Sequence, residues 1–175
     1  MNTESPTVHF RETQPMNRVA WVMFFVVALA ALMWYTLIMQ VFMGQQVGTS
    51  PGPDWMVILF WLLFGIFFPL AFYFLQMEVI VDPQAVRIKY KPFVNRTIPL
   101  AEITDCAART YNPVREYGGW GIRGMMGSKR AYTTTGIEGV ELTLRDGEQI
   151  MIGSQHAELL AKAINDLRVG NLAEI

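Results

Sequence analysis

One stretch of the sequence carries residue types in a spacing that a cofactor could use: Gly119-Trp120-Gly121-Ile122-Arg123-Gly124 satisfies the pattern G-x-G-x-x-G. That pattern holds a pyrophosphate only where a strand precedes it and a helix begins inside it, so that unpaired helical N–H groups face the anion. The chain continues instead with Met125-Met126-Gly127-Ser128 and then Thr133-Thr134-Thr135, a β-branched run that disfavours a helix. The glycines therefore read as tight turns or bulges, with Trp120 packed over a sheet. No cofactor is expected.

Nucleophilic and acid–base chemistry find no better footing. Asp105 beside Cys106, and Glu116 beside Arg115, place no base next to a nucleophile at a recognised spacing. Cys106 is the single cysteine, which excludes an intramolecular disulfide and reads as a small hydrophobe in a strand. His9 and His156 are the only histidines and lie far apart, so no cluster has metal-ligand spacing. The expectation is a protein that is not an enzyme and holds no metal.

Binding is better represented. Tyr117, Trp120 and Arg123 are aromatic and arginine side chains on a Gly-rich segment, the types that anchor interfaces. Arg123, Met125, Met126, Lys129 and Arg130 combine an adaptable apolar pair with positive charge, as a loop dipping into an interface would. Arg87, Lys89 and Lys91 alternate along one strand. From Arg87 to Arg130 there are nine Lys/Arg against three Asp/Glu, whereas Ala131 to Ile175 has three against seven. A basic half close to a bilayer would attract anionic head groups; an ordinary solvated strand face is the plainer account.

The elements that position these residues begin with two apolar runs. Hydrophobic residues make up 52% of the chain, and no Asp, Glu, Lys or Arg occurs between Arg18 and Asp54 or between Asp54 and Glu78. Val19 to Met43 and Trp55 to Leu75 would extend roughly 37 Å and 31 Å as helices, enough to cross a ~30 Å hydrocarbon core. The intervening GQQVGTSPGPD supplies turn residues, so the pair reads as a transmembrane hairpin over residues 19–76. A cleaved signal peptide is the rival, with Arg11 and Arg18 ahead of the apolar stretch and Ala28-Leu29-Ala30 as its site; the run continues too far beyond Ala30 for that. The spans contain no ionisable group and read as an anchor. The connecting loop has no Lys or Arg, which predicts cytoplasmic termini, with residues 1–18 as a tail.

From Met77 the pattern changes to alternation. Met77, Val79 and Val81, then Val86, Ile88 and Tyr90, predict one hairpin; Val140, Leu142 and Leu144, then Asp146-Gly147 and Ile150 and Ile152, predict another. Shorter strands are expected around 97–100, 103–111 and 131–135. Leu159, Leu160, Ala163, Ile164 and Leu167 recur at helical spacing over 155–169, with Ser154 as N-cap and Gly170 as stop. Residues 77–175 thus form an antiparallel sandwich or open barrel capped by one helix.

The string Arg109-Thr110-Tyr111-Asn112-Pro113, then Glu116-Tyr117-Gly118-Gly119-Trp120-Gly121-Ile122-Arg123, then the hairpin within 136–152, resembles small bacterial two-span membrane proteins bearing a pleckstrin-homology-like (PH-like) domain. The resemblance spans roughly residues 19–168. It implies a PH-like α+β fold at the inner membrane of a bacterium and no reaction. The expected function is a membrane-anchored interaction module with a protein partner. The alternatives are anionic-lipid sensing or an accessory role in a membrane enzyme or transporter complex. No nucleic-acid partner is expected, and homo-oligomers are compatible with the sequence.

Overall fold

The computed structural model describes residues 8–49, 51–124 and 128–173. Its contacts divide them into two units, one of 15–75 and one formed by the residues before Pro15 together with those from Gln76 onward.

In the first unit apolar side chains surround each helix, so no polar face directs either one to water. Helices Ala20–Phe42 and Asp54–Phe74, of 23 and 21 residues with mean hydropathies of 2.3 and 2.4, are long and apolar enough to cross a membrane. Gly65 is where they approach closely: a Cβ there would stand 3.4 Å from Met33 Cβ and 2.8 Å from Trp61 Cδ1. Trp34 and Trp61 meet edge to face with centroids 5.1 Å apart. Gln40 donates to Gly52 C=O at 2.7 Å and to Asp54 Oδ1 at 3.0 Å, tying the loop to the first helix. Where the chain enters and leaves this unit it pairs with itself, Met16 N–H donating to Leu75 C=O at 2.9 Å.

The second unit holds two sheets. Strands β1 (Phe10–Pro15), β2 (Gln76–Val81), β3 (Ala85–Lys91) and β4 (Val94–Pro99) form the first, in that order. The second runs β5-β8-β9-β7-β6, with β5 at Ile103–Thr110, β6 at Gly121–Arg123, β7 at Lys129–Thr133, β8 at Glu138–Leu144 and β9 at Gln149–Gly153. A five-residue helix, Pro113–Tyr117, lies between β5 and β6, and the chain closes on helix Ala157–Ala173. Both predicted hairpins are present: Val79 faces Ile88, and Leu142 faces Ile150. The alternating apolar residues form the core, with Met77, Val79, Val86, Ile88, Leu142 and Ile150 fully buried. The C-terminal helix adds buried Leu160 and Ile164. It is held to β5 by Asn165, whose side chain donates to Cys106 C=O at 3.1 Å.

Four expectations need correcting. The assignment of residues 1–18 to a tail fails for Phe10–Pro15, which is an edge strand of the first sheet. Its inward residues are Glu12 and Gln14, so no apolar alternation announces it. The sandwich is not antiparallel throughout, because β7 runs parallel to β9. Gly121–Arg123 is a strand as well as a turn segment. The closing helix begins at Ala157, two residues later than 155, and runs past Gly170 to Ala173. One glycine on a neighbouring helical turn costs only about 1 kcal/mol, which is too little to end a helix by itself.

Candidate functional site

The two sheets leave one side open. β4 and β6 are edge strands, and between them lies a groove of about 460 Å³ lined by Val94, Arg96, Thr97, Ile122, Arg130 and Tyr132, with Asn95. Strand register explains four of these seven residues. Val94 and Arg96 stand opposite Tyr90 and Ile88, which are core residues, and Arg130 and Tyr132 stand beside Ile150 and Ile152. Paired residues share a face, so the groove is the mouth of the inter-sheet core, where arginines replace aliphatic side chains.

Glu148 sits between those arginines. The turn at Asp146-Gly147 places it there, with Gly147 at φ 83° and Asp146 Oδ1 accepting from Glu148 N–H at 2.9 Å. Arg96 Nη2 donates to Glu148 Oε2 at 2.6 Å. Arg130 Nε is 2.6 Å from Glu148 Oε1, yet neither atom has an aligned hydrogen bond. Two guanidinium groups thus face one carboxylate, which leaves an excess positive charge and donor capacity at the mouth.

The Gly-rich segment is organised differently. Asn112 caps the short helix by accepting from Arg115 N–H at 3.0 Å, while Glu116 reaches back to Asn112 N–H at 2.7 Å. Arg109, on β5, pairs with Glu116 at 2.8 Å and with Glu141 on β8. The Glu116 hydrogen bond, with that of Glu141, raises the Arg109 pKa further against the opposing effect of burial. The Arg109 hydrogen bond, with Asn112 N–H, holds Glu116 below the ordinary carboxylate value. Tyr111 and Tyr117 meet edge to face at 6.0 Å, beside buried Ala131 and Met151. Gly118, at φ 74°, ends the helix in the left-handed region.

The predicted binding residues that the structure describes are scattered over the domain. Tyr117 is half-buried in the cluster just described. Trp120 Nε1 donates to Gly136 C=O at 2.9 Å, and Arg123 Nε donates to Trp120 C=O at 3.1 Å. Arg123 thus folds onto its own loop, while Trp120 ties that loop to the β7–β8 connection. Lys129 is exposed on β7, whereas Arg130 turns into the groove. Met125 and Met126 lie outside the described residues.

Arg87, Lys89 and Lys91 share the outer face of the first sheet, but two of the three are paired. Arg87 Nε donates to Asp82 Oδ2 at 2.6 Å, and Lys91 Nζ is 3.3 Å from Glu78, which also accepts from Arg11 at 2.8 Å. Among the described residues Lys89 has no ion pair. Burial acts to raise the pKa values of Asp82 and Glu78. For Asp82 the Arg87 hydrogen bond and the N–H groups of Gln84 and Ala85 outweigh it, and for Glu78 Arg11 and Lys91 do, so both fall below their ordinary 3.8 and 4.5. A depressed folded pKa means that the unfolded chain takes up protons first as the pH drops. The stability these groups add is therefore present above about pH 4.5 and lost as the pH falls below it. Urea midpoints of the full chain in detergent should be flat above that value and decline beneath it. Asp82→Asn together with Glu78→Gln should flatten the decline.

Arg96, Glu148 and Arg109 were not among the predicted binding residues. The first two are 52 positions apart and meet only because β4 and the start of β9 face each other. Arg109 had a local signal, since Glu116 stands seven residues later in the distinctive string. No group of three or more His, Cys, Asp or Glu among the described residues is placed to hold a metal ion.

An α+β domain of two sheets closed by a C-terminal helix, joined to two helices long enough and apolar enough to cross a membrane, defines the class of this protein. Residues 1–169 match the model of a family of unknown function, DUF6141, and the chain belongs to that family. No curated protein matches the sequence.

Proposed function

We propose that the protein is a non-enzymatic module held at the cytoplasmic face of a membrane by its helical hairpin, with a PH-like domain that captures an extended, acidic segment of a protein partner. The observation that carries this reading is the groove between β4 and β6. Among the described residues each of these strands has a sheet neighbour on one side alone, and an edge of that kind is the template on which an added strand forms main-chain hydrogen bonds. Ile122, Val94 and Tyr132 supply apolar contact, and Arg96 and Arg130 supply positive charge that Glu148 offsets only in part. The Arg130 side chain remains 31% exposed beside Glu148, and that exposed part is what a partner carboxylate would meet.

The test is photo-crosslinking of the full chain in its native membrane, with the crosslinking residue at Thr97 on β4 or at Gln84 in the β2–β3 turn. A partner with an acidic segment should be captured from Thr97 and not from Gln84. Arg130→Glu should abolish capture. Capture that is equal from both positions, or unaffected by Arg130→Glu, rejects the groove as the binding site.

A further inference from the structure

We propose that the tip of the β3–β4 hairpin is a second contact with the bilayer, in which Phe93 enters the head-group region with Lys89 and Lys91 beside it. The inference rests on the reading that the two apolar helices span a membrane. Phe93 is 73% exposed at the end of a tight turn, its N–H donating to Tyr90 C=O at 2.8 Å.

Chain continuity places this tip. Lys91 pairs with Gln76, the first residue of β2, and Leu75 alone separates Gln76 from Phe74, where the second apolar helix ends. Paired Cα atoms in an antiparallel sheet stand about 5 Å apart, so Lys91 lies one strand spacing from Gln76, which follows the last residue of that helix by two positions. Pro92 and Phe93 continue beyond Lys91 in the direction from which β2 arrives. The other end of the same hairpin, where Val81 pairs with Val86, is roughly 17 Å farther along the strands.

The chemistry at the tip suits a lipid surface. An aromatic ring is stabilised at the boundary between head groups and acyl chains, and flanking lysines are drawn to anionic head groups. Lys89 has no ion pair among the described residues, and the Lys91 side chain remains 50% exposed beside Glu78. A lone exposed phenylalanine on a soluble surface would need no explanation. Here its closeness along the chain and the β2–β3 register to the end of the second apolar helix, with its basic neighbours, gives it one.

Nitroxide labelling of the full chain in nanodiscs of phosphatidylcholine and phosphatidylglycerol tests this, with single cysteines introduced as Phe93→Cys, Gln84→Cys and Leu62→Cys. Native Cys106 is buried, and burial pushes its thiol up to about 12, so it stays unlabelled in the folded chain. The Leu62 label, on the second apolar helix, should be accessible to oxygen and shielded from a water-soluble nickel complex, and the Gln84 label the reverse. The Phe93 label should have a several-fold higher oxygen-to-nickel accessibility ratio than the Gln84 label. A Phe93 label as open to nickel as the Gln84 label, with Leu62 shielded, overturns the proposal and leaves the span intact. A nickel-accessible Leu62 label overturns the spanning reading and the proposal with it. Phe93 is exposed, so its replacement should leave thermal unfolding unchanged.

Discussion

Replacing Glu12 by alanine is expected to destabilise the full chain by about 3 kcal/mol, a drop in Tm on the order of 10 °C for a domain of this size. Glu12 lies on β1 with only 8% of its surface exposed. Its carboxylate accepts from Ser154 Oγ at 2.5 Å, from Gln155 N–H at 2.8 Å and from Gln14 Nε2 at 3.0 Å. Gln14 in turn donates to Gly153 C=O at 3.0 Å and accepts from Thr134. Ser154 accepts from His156 N–H at 3.0 Å, directly before the C-terminal helix. One carboxylate therefore joins the first strand, the end of β9 and the approach to the last helix. Its removal leaves several buried donors unpaired, each costing about 1–3 kcal/mol before relaxation. Glu12→Gln keeps the shape but turns an amide toward donors, and should recover only part of the loss. Thr13→Ala, on the exposed neighbour, is the control. Thermal melts in detergent that place Glu12→Ala within 1 kcal/mol of that control, roughly the range of ordinary surface changes, would refute the network's importance.

Gly139→Ala should be of comparable size for a different reason. Gly139 on β8 pairs with Gly153 on β9, and a Cβ at Gly139 would stand 2.5 Å from Ile152 C=O and 3.0 Å from Met151 Sδ. The obstructing oxygen belongs to the ladder itself and cannot swing aside as a side-chain end would. The strands must separate locally, and overpacking of this kind typically costs about 1–3 kcal/mol or more. Gly153→Ala meets Thr133 no closer than 3.2 Å and should cost less. Urea midpoints of the two variants in detergent should therefore rank Gly139→Ala as the less stable; equal midpoints would show that the ladder yields.

The parts of the fold visible in the sequence are those specified by local pattern. Val86, Ile88 and Tyr90 alternate with Arg87 and Lys89, and that period defines β3 and its buried face. Asp146-Gly147 between two apolar alternations defines the β8–β9 turn. The two apolar runs define the long helices to within a few residues. What escaped depends on distant partners. β1 buries Glu12 and Gln14, which look like solvent residues until Ser154 and Thr134 are brought to them. The parallel β7–β9 pair has no local signature, since either strand could add to either edge. Away from the groove, Arg87 meets Asp82 only five positions earlier in the chain. The Arg96–Glu148–Arg130 arrangement was not legible in the sequence, because two sheets must fold before it exists.

The pairing of β1 with β2 also constrains the path of the chain. These strands are neighbours in one sheet, yet 60 residues separate the end of β1 at Pro15 from the start of β2 at Gln76, and those residues include both apolar helices. The polypeptide leaves the sheet and returns to it at the same place, so any path through a bilayer must have an even number of crossings. A single crossing would put β1 and β2 in different compartments, and the carboxylate of Glu12 could not reach Ser154.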